Sequence, residues 1–78
     1  MDRKDIYDLI DKERDYQDSL PQHNKALDAS HGTSAWIIFM EDRLNRAKKA
    51  VYNLDQTKAT QEIIKVMALG VACLENKM

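Results

Sequence analysis

Residues 33–54, TSAWIIFMEDRLNRAKKAVYNL, carry the longest uninterrupted helical pattern in the chain and constrain whatever packs against it. Apolar side chains recur at Trp36, Met40, Leu44, Ala47, Val51 and Leu54, the three-and-four alternation that lines one face of an α-helix. The opening turns differ. Positions 35–40 read AWIIFM, apolar in every direction, and a helix apolar all round must be covered all round. Three helices drawn from 78 residues cover only part of that surface, so a second copy of the chain is the expected cover. A single core of this size supplies roughly 3–5 kcal/mol. The usual staples are missing, because the one cysteine, Cys73, has no intrachain disulfide partner and no CxxC or Cys/His cluster offers a structural zinc site. Homo-oligomerisation is therefore the first expectation.

The N-terminal segment supplies a second helix, over about 2–18, with Ile6, Leu9, Ile10 and Tyr16 at helical spacing. Asp2 is placed to cap it and Asp5 to complement the positive end of its dipole. Its stripe turns polar at Glu13 and Gln17, where the helix should meet the core, and an unpaired buried carboxylate is costly. Two readings follow. Glu13 sits at the rim and pairs with a neighbouring charge, or Glu13, Arg14, Tyr16 and Gln17 form a polar cluster opening toward a ligand.

Positions 19–33 read as a long loop, since Pro21, Asn24, Asp28, Ser30 and Gly32 interrupt helical periodicity without strand alternation. Loops of this length in so small a domain are more often functional or mobile than purely connective. It holds His23 and His31, which lack the third paired ligand that a metal geometry requires. His31 either ends a turn or joins an anion site at the amides of the next helix, which is expected over 34–53 with Thr33 as its N-cap. The later part of that helix is locally basic, through Arg43, Arg46, Lys48 and Lys49.

Asn53, Asp55 and Thr57 mark a tight connection to a last helix over 57–76, whose apolar set includes Ala59, Ile63, Val66, Met67, Leu74 and Cys73. The last two helices should form an antiparallel hairpin, with Leu54 near Ile63 and Trp36 near Leu74. Gly70 inside this helix costs about 1 kcal/mol relative to alanine, and the small residues around it suggest close approach by another helix. Cys73 reads as a small core hydrophobe. The expected fold is thus one all-α domain: N-terminal helix, long loop and antiparallel helical hairpin, assembled as a homo-oligomer.

Charged residues make up 32% of the chain with a net charge of −1, which excludes a global basic field and so non-specific nucleic-acid binding. The N-terminus is too charged for a secretory signal and no apolar run approaches the ~20 residues that span a membrane. No membrane partner is expected, and the expected location is the cytosol.

Three segments carry a resemblance: ERDYQD at 13–18, HGTSAWIIFMED at 31–42 and EIIKVMALGVACLE at 62–75. Over nearly its whole length the chain resembles a family of small proteins common in tailed-phage genomes. That family's pattern is an ERxYQ helix, a loop ending in His, a Trp-bearing WLxxMExxLxxA helix and a closing EIxKVxALGVACLE helix. In shape and size the chain is also similar to phage sponge proteins, small helical oligomers that sequester nucleotide second messengers made by bacterial immune systems such as CBASS and Thoeris. The resemblance implies a host-cytosolic binding protein that holds a cyclic oligonucleotide or ADP-ribose derivative without cleaving it and needs no cofactor. Arg14 or a base of the following helix would neutralise phosphate and Tyr16 or Trp36 would stack on a base, with Glu13, Gln17 and His31 completing the candidate site.

An enzyme is the alternative, with Glu13, Glu41, Asp42 and Glu62 holding Mg²⁺ for pyrophosphate hydrolysis as in all-α pyrophosphatases of the MazG type. The spacing argues against it, because Glu41 and Asp42 are adjacent and point to different faces, while Glu62 has no acidic partner three or four residues on. A helical protein-binding module is the third reading.

Overall fold

A computed structural model describes residues 1–21 and 25–78 and is all-helical there, with α1 over Arg3–Ser19, α2 over Lys25–Ser30, α3 over Thr33–Tyr52 and α4 over Gln56–Lys77. Asp2 caps α1 as expected, its Oδ1 accepting from the Asp5 amide at 3.0 Å. At the other end the Leu20 amide donates to the Gln17 carbonyl, and Pro21 follows.

The segment expected as a loop contains the short helix α2, which packs against α4. Six residues are too few for periodicity to register, and tertiary contact sustains what propensity alone does not. Both the loop reading of 22–24 and the reading of His23 lie outside the described residues. The start of α3 also differs from expectation. Gly32 is the N-cap and makes no side-chain cap bond, so Thr33 lies already inside the helix. The Gly32 carbonyl instead accepts from the Ala35 and Trp36 amides.

Between α3 and α4 the chain turns in three residues. The Asp55 amide donates to the Ala50 carbonyl at 2.9 Å, and the Asp55 side chain accepts from the Lys58 amide at 3.0 Å to cap α4. Leu54, at the apex, has φ 58°, in the left-handed region that costs a non-glycine residue about 1–2 kcal/mol. Its side chain is 93% exposed, so contacts within the chain do not offset that cost.

α4 is the organising element, since among the described residues α1, α2 and α3 each pack on it. Its seam with α3 is lined by Ala47, Ala50 and Ala59, small side chains that let the helices approach closely. Toward the other end, Trp36 is fully buried with Leu69, Ala72 and Cys73, and Phe39 and Met40 flank the cluster. Cys73 is a buried core residue there. The Met40 sulfur lies over Gly70, 3.7 Å from where a Cβ would stand. That is ordinary van der Waals distance, and the close approach expected at Gly70 is by α3 of the same chain.

The apolar stripe expected on α3 is only partly internal. Trp36 and Ala47 are buried, but Leu44, Val51 and Leu54 are exposed, and Ile63 and Leu74 on α4 also face outward. The seam follows positions 36, 40, 43, 47 and 50, taking in Arg43 and Ala50 in place of their larger neighbours. Leu44 and Val51 come one residue after seam positions and so turn about 100° away from α4. Among the described residues no helix is long and apolar enough to cross a membrane.

Candidate functional site

Polar residues at helical spacing are normally solvated, yet α1 buries Arg14 and Gln17 beside Ile10 against α4. The cost is met by a network. Arg14 Nε and Nη2 donate to the two Glu75 carboxylate oxygens at 3.1 and 3.3 Å, Nη2 also donates to Asp18 Oδ1 at 3.1 Å, and Nη1 donates to Gln17 Oε1 at 3.1 Å. Burial alone lowers the Arg14 pKa, but the hydrogen bond and charge of Glu75 and the charge of Asp18 outweigh it, and the pKa is raised. A base whose pKa rises on folding contributes stability below its unfolded titration range, and that contribution is lost as pH rises through the folded value in strong alkali.

Arg14 is therefore a clamp between α1 and α4. Arg14→Ala is expected to cost about 1–2 kcal/mol of stability, at the low end for charge-assisted hydrogen bonds because the freed Glu75 and Asp18 carboxylates are more than half exposed and rehydrate. Thermal melts followed by circular dichroism check this. An unchanged melting temperature would contradict the clamp.

Around the outer edge of this contact runs a polar cleft of about 250 Å³, lined by Glu13, Tyr16, Gln17, Arg43, Lys65 and Leu69. Three residues singled out in the sequence, Glu13, Tyr16 and Gln17, meet there. Tyr16 is exposed, Glu13 is half-buried, and Gln17 presents its Oε1 to Arg14, while its amide NH2 makes no hydrogen bond among the described residues. Lys65 is half-buried in the same cleft, and among the described residues its ammonium makes no ion pair or hydrogen bond. The pattern reading passed over Lys65 because one lysine in a helix of mixed composition has no local signal; its relation to α1 is set by packing.

Arg43 enters from α3, its Nη1 donating to Glu62 Oε2 at 3.3 Å. Glu62 is 1% exposed and is held on its other oxygen by Lys58, 3.5 Å away. Glu62 and Asp42, two of the carboxylates weighed as metal ligands, are thus engaged by cations, Asp42 by Arg46 at 3.2 Å. Among the described residues no group of three or more His, Cys, Asp or Glu side chains is placed to hold a metal ion.

Two further candidates lie apart from the cleft. Trp36 is fully buried, and His31 and Phe39 meet it edge-on, at ring-centroid distances of 6.0 and 5.8 Å. His31 also packs edge-on against Phe39 at 5.1 Å. Trp36 has no face free for a base, and His31 finishes the aromatic cluster over the start of α3. Leu69 connects the two regions, lining the cleft while packing in the Trp36 cluster. Comparison with protein-family models, with curated proteins and with solved structures finds no match.

Proposed function

We propose that the chain is a binding protein for a small phosphorylated nucleotide, a cyclic oligonucleotide or ADP-ribose derivative of the immune-signal type, which it holds in the Glu13–Lys65 cleft and releases unchanged. The observation that carries this reading is Lys65, a half-buried residue whose ammonium makes no ion pair or hydrogen bond among the described residues, in the same cleft as the exposed ring of Tyr16. An ammonium presented to a cleft without an ion-pair partner is available to a phosphate oxygen through a charge-assisted hydrogen bond. Arg43 adds donors beyond the one spent on Glu62. Tyr16 offers a face for stacking, and Glu13 and the Gln17 amide suit ribose hydroxyls and the polar edge of a base. This assigns the phosphate to Lys65 and Arg43 and leaves Arg14 to its clamp. The cleft falls just below the roughly 300–1,000 Å³ usual for ligand pockets.

The same proposal takes α3 and α4 as an antiparallel hairpin and the working protein as a homo-oligomer, supported by the apolar side chains this pair leaves exposed. Calorimetric titration against cyclic dinucleotides, cyclic trinucleotides and ADP-ribose derivatives tests the binding, with chromatography of the ligand recovered after heating. One class should bind and return intact. Lys65→Ala should then weaken it by about 1.5–3 kcal/mol with the melting temperature unchanged, and Tyr16→Ala by about 1–3 kcal/mol. Silence across the panel would favour a protein-binding module, and a cleaved product would make the chain an enzyme.

A further inference from the structure

Building on the homo-oligomer reading, we infer that two copies associate face to face through the α3–α4 surface opposite α1, about a two-fold axis crossing α3 near Leu44. Ile37, Leu44 and Val51 on α3 and Ile63, Met67 and Leu74 on α4 are each between 47% and 60% exposed. All six sit one or a few residues beyond the seam in the same rotational sense, and on two antiparallel helices such positions fall on one side of the pair. α1 occupies the other side, where Leu9 and Lys12 line one groove with Gln61 and Ile64 of α4. The six half-exposed side chains present roughly 600 Å², the upper end for the largest apolar patch of a monomer and most of the ~800 Å² per partner that a standard interface buries.

Charge identifies the occupant. Glu41 and Lys48 flank Leu44 along this stripe, both are exposed, and among the described residues neither makes an ion pair. They lie seven positions apart, about 10.5 Å along the helix. A two-fold axis between them sets α3 antiparallel to its copy, so that Glu41 of each chain meets Lys48 of the other, twice per dimer. The same axis brings Ile37 of one copy near Val51 of the other. An unrelated partner would have no reason to find acid and base placed symmetrically about a leucine. Leu54 fits this surface as well, being an exposed leucine held at φ 58° next to Val51.

Sedimentation velocity at low salt tests the inference over a range of concentrations. The wild type should be dimeric. Glu41→Lys or Lys48→Glu alone sets two like-charged pairs against each other in every dimer and should weaken association tenfold or more, while the double exchange Glu41→Lys, Lys48→Glu should restore it. Leu44→Lys, a surface change that leaves the folded monomer intact, should give monomer. A wild type monomeric throughout would overturn both the homo-oligomer reading and this surface. A wild-type oligomer indifferent to Leu44→Lys and to the single exchanges would overturn the surface alone. Single exchanges that weaken association without recovery in the double would overturn the two-fold placement.

Discussion

Trp36→Ala is expected to leave the chain without a cooperative unfolding transition at 25 °C. Trp36 is the largest fully buried side chain and the centre of the cluster with Leu69, Ala72 and Cys73. Truncating a buried aromatic costs about 3–5 kcal/mol, as much as the roughly 3–5 kcal/mol a single small core supplies. The neighbours include two small side chains, Ala72 and Cys73, which have little reach to refill the space. Trp36→Phe should be far milder. It keeps most of the packing, and it removes an indole N–H that is buried without a hydrogen-bond partner among the described residues. Urea melts followed by circular dichroism separate the cases, and an alanine variant within 1 kcal/mol of the wild type would show that the core lies elsewhere.

The second large effect is expected from Arg43→Met, at about 3 kcal/mol, the low end of the range for breaking a buried ion pair. The loss comes mostly from Glu62, whose side chain is 1% exposed and would keep, among the described residues, only Lys58, 3.5 Å away and more than half exposed itself. Removing both charges removes the orphan. Arg43→Met with Glu62→Leu should therefore recover most of the stability lost by the single change, as buried pairs replaced by apolar residues often do. A double variant no better than the single one would mean that Arg43 contributes by packing and not by neutralising Glu62.

Much of the helical content was legible because it depends on local periodicity. The three long helices were expected over 2–18, 34–53 and 57–76 and are found at Arg3–Ser19, Thr33–Tyr52 and Gln56–Lys77. What escaped the pattern is which face meets which partner. Reading apolar residues alone runs the α3 stripe through Leu44, Val51 and Leu54, whereas the seam admits Arg43 because Glu62 waits opposite. Arg14 is the same case, buried against a carboxylate 61 positions away in the chain. Long-range charge pairs of this kind leave no trace in a local window. Of the candidate site, the α1 cluster of Glu13, Tyr16 and Gln17 was visible as a stripe turning polar, but Lys65 becomes a candidate only when α1 is laid on α4. Trp36 was conspicuous for its chemistry, and burial gives it a structural role instead.

The most direct test of the nucleotide-binding account is a ¹H–¹⁵N correlation titration of the labelled protein with a cyclic dinucleotide and, separately, with ADP-ribose. The account predicts that at least one of them shifts the resonances of Glu13, Tyr16, Gln17 and Lys65 while those of Trp36 and of the 53–55 turn stay in place, and that Lys65→Ala removes the shifts. Shifts centred elsewhere, or spectra unchanged by either compound at millimolar concentration, would contradict it.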